Sequence, residues 1–223
     1  MSLIYTPHTF SRASKRQALE ILHENITPDR DFYLLLIGAA LLAIGAIFLD
    51  SIPVLIASMI VAPLAYPILG LGLSIASNDW RLARQSFSIL LTAFIMAFLL
   101  AVIVTKLFGH TRVDNIFISF TPNRVLATGI ALVAGFIASY GLVRPKVSNA
   151  ITGVAIAVSL MPPLVASGIE FSSRRIALAK DALILFLLNV IGIVVASIVV
   201  FLVLGVAREH RIFREKQMQI GEH

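Results

Sequence analysis

The chain has 223 residues, 58% of them hydrophobic and only 13% charged, with a formal charge of +6 and no cysteine. An ordinary soluble domain carries roughly 25% charged residues, so water is not the main solvent of this one. Disulfides, thiol nucleophiles and Cys-ligated metals are excluded. Its basic residues lie in short loops and tails beside apolar runs, where they fix orientation or meet lipid headgroups rather than nucleic acid.

Residues 1–31 are polar and carry Arg12, Lys15, Arg16 and Arg30, without the apolar stretch of a cleavable signal; the first span is expected to act as an uncleaved signal anchor. Ser11 to Asn25 reads as a short helix ended by Thr27-Pro28. Ser14 and Gln17 stand at capping-box spacing, and Ala18, Leu22 and Ile26 form a narrow apolar stripe. Two readings of this helix stay open: a solvated lead-in, or an interfacial helix lying on lipid headgroups.

Six apolar runs free of Lys and Arg follow: Phe32 to Leu49, Ile52 to Ala76, Ser86 to Thr105, Val125 to Val143, Ala150 to Ile169 and Ala182 to Ala207. Each is long enough to cross a hydrocarbon core of about 30 Å as a helix, and none alternates like a barrel strand. The expected fold class is therefore all-α, a polytopic membrane protein of about six transmembrane helices. Ser51 with Pro53 and Thr121 with Pro122 mark the starts of the second and fourth spans. With the N-terminus inside, twelve Lys and Arg fall on the inner side and six on the outer, which predicts cytoplasmic termini in a prokaryotic inner membrane.

Shifting the chain by 96 residues aligns Leu55 to Gly109 with Ile151 to Gly205 without a gap, with eleven identities in 55 positions. Pro67 falls on Pro163, Gly72 on Gly168, Ser77 on Ser173 and Gly109 on Gly205; further back, Gly45 falls on Gly141. This predicts two three-helix repeats at 32–109 and 125–207, between the polar N-terminal segment 1–31 and a basic tail at 208–223. Three spans per unit is an odd number, so the second copy would be inverted. The competing arrangement makes the second and fifth segments re-entrant hairpins, which leaves four spans and two parallel repeats.

The second and fifth segments carry Pro63, Pro67, Pro162 and Pro163 in their middles, and both are expected to break there. Each such proline removes an amide donor and frees a carbonyl that lipid cannot satisfy. Paired interrupted helices are the best sequence pointer to a transporter's site. The candidate lining residues are Ser58, Pro63, Tyr66, Pro67, Ser159, Pro162, Pro163, Ser167 and Asn189. The bland alternatives are kinks patched by neighbouring hydroxyls and, for Asn189, a helix-to-helix hydrogen bond. No ionisable residue lies at the centre of a span, which argues against a proton relay or a voltage sensor. HExxH and GxSxG are lacking too, so no enzymatic chemistry, cofactor or metal is expected.

Ile56-Ala-Ser-Met-Ile-Val-Ala-Pro63-Leu-Ala-Tyr-Pro67-Ile-Leu-Gly70-Leu-Gly72, with Gly153 to Leu164 and Leu188-Asn189-Val-Ile-Gly192-Ile, resembles the prokaryotic membrane-protein family known as domain of unknown function 389. The resemblance covers roughly residues 32 to 205. It implies a membrane protein in which the Pro motifs matter, and it supplies no substrate. The residues themselves lead to a small-solute or ion transporter or channel-like permease, homo-oligomeric through its Gly-rich faces and embedded in the lipid bilayer. The alternative is a structural or signalling membrane component whose basic tails bind lipid or a partner.

Overall fold

The computed structural model describes residues 12–109, 124–144 and 149–212, with the side chains of 149–159 excepted. Every regular element among them is helical. In chain order these are α1 (Arg12–Asn25), α2 (Arg30–Phe48), α3 (Ile52–Val61), α4 (Ala65–Ser77), α5 (Trp80–Phe108), α6 (Arg124–Val143), α7 (Asn149–Ser172) and α8 (Ile176–Val203). A further helical stretch occupies 206–212. Among the described residues, α2, α5, α6 and α8 are each long and apolar enough to cross a membrane, and α3 with α4 would make a fifth span bent by 54°. The starts of α5 and α8 lie six residues before the apolar runs, so Arg81, Arg84, Lys180 and Asp181 belong to helix ends rather than loops.

The second segment breaks where Pro63 lies. Helix α3 ends with the Ala62 amide donating to Ser58 O at 3.2 Å, and α4 begins at Ala65. Pro67 is the third residue of α4, where an amide has no intrahelical partner to lose, so it causes no break. The fifth segment departs from the expectation: α7 runs unbroken past Pro162 and Pro163. The 96-residue shift supplies the reason. Pro63 is the breaking residue, and its counterpart is Ser159, which keeps its amide. The Pro pair in α7 sits within Leu160 to Glu170, a stretch buried on every side. Packed against α2 to α6 and α8, α7 stays helical through the Pro pair.

Helix boundaries recur at the same shift. Trp80, the first residue of α5, maps onto Ile176, the first of α8, and the ends of α4 and α7 agree within one residue. Left-handed backbone recurs as well: Asn78 (φ 56°) maps onto Arg174 (φ 60°), and Gly109 (φ 78°) onto Gly205 (φ 69°). Both interhelical turns close with the same two bonds. Asn78 N donates to Ile75 O and Asp79 N to Ser74 O; Arg174 N donates to Phe171 O and Arg175 N to Glu170 O.

Packing between the halves is reciprocal. A Cβ added to Gly72 would lie 2.8 Å from Ser197 Cβ and 3.4 Å from Val194 O; one added to Gly168 would lie 2.8 Å from Ala101 Cβ and 2.7 Å from Phe98 O. Subtracting 96 from Ser197 and Val194 gives Ala101 and Phe98. Helix directions follow from successive contacts. Gly168 meets Phe98 and Ala101, and the Ser172 hydroxyl donates to Val102 O at 3.2 Å, so α7 and α5 run in the same sense. The tight turn at 173–175 reverses the chain, and α8 runs opposite to α5. Arg124 pairs with Asp181 near the starts of α6 and α8, and Gly135 meets Ile193 farther along, so those two helices are parallel.

The α1 stripe is neither solvated nor laid on lipid headgroups. Ala18, Leu22 and Ile26 are at most 1% exposed, and α1 packs against α4 and α6. Its helix already includes Arg12, which leaves Ser14 inside it rather than at a cap. The Ser51–Pro53 start of α3 is observed, although the Ser51 side chain makes no cap bond; Thr121-Pro122 lies outside the described residues.

Candidate functional site

The break between α3 and α4 opens onto a cleft of about 420 Å³. It is lined by Ile60 to Pro63, Ala65 and Tyr66, and by the last turn of α1, the α1–α2 connection and the first turns of α2, which bring Glu24, Asp29 and Asp31 to the same cleft. Asp29 is also the N-cap of α2, its Oδ1 accepting from the Phe32 amide at 2.8 Å. Helix α3 ends at this cleft, so the negative end of its dipole and its terminal carbonyls add to the carboxylates. The break falls near the middle of the segment 52–77 and shares the cleft with Asp31, Phe32 and Leu35 of the first turns of α2.

Of the nine residues singled out in the sequence, Pro63 and Tyr66 line this cleft, while Ser58, Pro67, Pro162, Pro163, Ser167 and Asn189 do not. Ser58 and Ser167 are 0% and 1% exposed, and their hydroxyls donate back to Leu55 O and Leu164 O, each at 2.6 Å. These are the self-satisfied hydroxyls of buried helices. Pro67, Pro162 and Pro163 are buried in packing, and Asn189 is 4% exposed within α8. The side chain of Ser159 lies outside the described residues. Glu24, Asp29 and Asp31 were missed because they belong to the polar lead-in, and nothing in their spacing says that the chain folds them over the α3–α4 break.

A second polar cluster holds three distant segments together. His210 Nε2 and Asp79 Oδ2 lie 3.0 Å apart, both residues buried, while Asp79 Oδ1 accepts from the amides of Arg81 and Leu82 and so caps α5. The His23 ring from α1 stacks on His210 at 5.4 Å. Arg211 donates to Ser77 O and Ala76 O at the end of α4, and Arg16 pairs with Glu209 at 3.2 Å. Burial, then His210, push the His23 pKa below its ordinary 6.5, and Asp79 opposes them in part. Helix α1, the α4–α5 turn and residues 206–212 thus share one end of the molecule. In the second half, Arg175 grips the buried Glu170 with two nitrogens, at 2.6 and 2.9 Å. Among the described residues, no cluster of His, Asp and Glu has the makings of a metal site.

A protein-family model described as a domain of unknown function (DUF389) matches residues 59–195. The chain belongs to that family. The match runs from α3 into α8 and takes in the break, the Pro pair of α7 and Asn189. This DUF389 chain is also 32% identical over 204 residues to an uncharacterized protein of Methanocaldococcus jannaschii; the match covers 88% of the chain and 61% of the archaeal protein's length. No solved structure matches it.

Proposed function

We propose that this DUF389 chain is an integral membrane transporter or channel-like permease for a small solute, with both termini cytoplasmic and with α3–α4 as the interrupted helix of an inverted three-plus-three repeat. The observation that carries the reading is the break at Pro63 over the polar cleft. Non-helical backbone at a membrane is tolerated where it lines a cavity or is buried in protein, and here it meets a cavity. The carboxylates lining the cleft and the carbonyl end of α3 favour a cation or a hydrogen-bond donor over an anion.

The inverted arrangement is supported by the reciprocal Gly72 and Gly168 contacts and by the opposite senses of α5 and α8. A crossing α3–α4 segment, rather than a re-entrant one, is supported by Asp79 lying beside His210 and His23, at the end where α2 begins. One observation favours the other reading, a structural or signalling component: α7 is continuous, so the paired breaks expected of two transporter half-sites reduce to one.

Flux in proteoliposomes separates the two. With a panel of inorganic and organic cations, the transporter reading expects uptake that falls at least about tenfold in Asp31→Asn/Glu24→Gln and in Tyr66→Phe, as loss of charge or of a hydrogen bond at a conduction site implies. Absence of flux for every cation and anion tested, in protein whose melting transition is intact, would leave the structural reading.

A further inference from the structure

We propose that the groove at the start of α5 is a binding site for the headgroup of an anionic phospholipid. The groove, of about 710 Å³, lies between the first turns of α5 and the α1–α2 connection, and is lined by Trp80, Arg81, Arg84, Gln85, Ser88 and Ile89. Positions 81, 84, 85 and 88 stand at i, i+3, i+4 and i+7 and share one helix face, and all four are exposed. The face descends from guanidinium groups through an amide and a hydroxyl to Ile89, which is buried at 5% exposure. That gradient runs in the order headgroup phosphate, ester region, acyl chain.

Three features favour this occupant. The lining carries two positive charges and no carboxylate, and neither guanidinium has an ion pair among the described residues, whereas Arg16, Arg124 and Arg175 are all paired. Guanidinium binds phosphate oxygens in a fork that a lone ammonium cannot match. Trp80 is 83% exposed at the very start of a 29-residue apolar helix, the position at which tryptophan sits among headgroups. Finally, the Asp79 carboxylate already occupies the amides of Arg81 and Leu82 and faces His210, so an anion in the groove is held by the side chains, not by the helix terminus.

The test is thermal melting of the purified full chain in detergent micelles doped with phosphatidylglycerol, with phosphatidylcholine, or supplied with inorganic phosphate. Phosphatidylglycerol is expected to raise the wild-type Tm by about 4 °C over phosphatidylcholine. Arg81→Gln/Arg84→Gln should lose that increment while melting normally without added lipid. Lys106→Gln, which removes a basic residue at the opposite end of α5, should keep it. The proposal is overturned if the double variant retains the increment, if Lys106→Gln loses as much, if phosphatidylcholine does as well, or if inorganic phosphate reproduces the shift.

Discussion

His23 stacks on His210, whose Nε2 lies 3.0 Å from Asp79 Oδ2, and the balance of these groups tells in the pH dependence of stability. The folded protein holds His23 below its ordinary pKa of 6.5, so the neutral ring is the form the fold prefers. Below 6.5 the unfolded chain takes up a proton that folded His23 resists, and the stability present above that pH is lost as pH falls. Tm is expected to drop between about pH 7.5 and pH 5.5, and His23→Phe should flatten the slope over that window. A slope unchanged in His23→Phe would assign the dependence elsewhere. At the other polar turn, Glu170 is 1% exposed and Arg175 is 29% exposed. Removing one partner of a buried pair costs about 3–5 kcal/mol, and the partial exposure of Arg175 puts Arg175→Met toward the lower end, about 3 kcal/mol by denaturant titration.

At the scale of helices, the crossings of α4 over α8 and of α7 over α5 depend on glycine because nothing larger fits. Gly168→Ala would drive a Cβ to 2.7 Å from the backbone oxygen of Phe98, which cannot swing away, so a loss of about 2–3 kcal/mol is expected. Gly72→Ala collides with the Ser197 side chain instead, and Ser197→Gly should recover a good part of its loss, a non-additivity that a double-mutant cycle measures. Gly38 and Gly45 on α2 have nothing within 4 Å, and Ala at either should be neutral or mildly stabilising.

These contacts also explain what the sequence could and could not say. Apolar runs located α2 through α8 because lipid solvation demands continuous hydrophobicity, whatever the packing. The shift of 96 residues carried the turn chemistry forward, since Asn78 and Arg174 share a left-handed cap although their side chains differ. Which proline breaks a helix was not legible. Pro63 and Pro67 look alike in a string, and only the start of α4 at Ala65 makes Pro67 harmless. The acidic lining of the cleft and the His23–Asp79–His210 cluster join residues far apart in the chain, and no local period announces such contacts.

For the molecule as a whole, the decisive variable is the direction in which each half enters the membrane. Three helices, α5, α6 and α7, separate the turn at 78–79 from the turn at 174–175, so the two turns face opposite compartments if α7 crosses and the same one if α7 re-enters. Asn78 and Arg174 are poor places for a reporter, because a side chain without local hydrogen-bonding capacity strains the left-handed backbone that each adopts. Trp80 and Ile176 are better: each is the first residue of its helix, they are related by the 96-residue shift, and they are 83% and 44% exposed. The chain has no native cysteine, so Trp80→Cys and Ile176→Cys each give a single thiol. In intact cells an impermeant maleimide should label Ile176→Cys and leave Trp80→Cys unlabelled until the membrane is opened, as expected when the inner side carries twelve basic residues against six. Equal labelling of the two would exclude the inverted repeat. The reverse pattern would keep the repeat but turn the molecule over, moving the acidic cleft and the basic α5 groove together to the outer face, since both lie beside the α1–α2 connection.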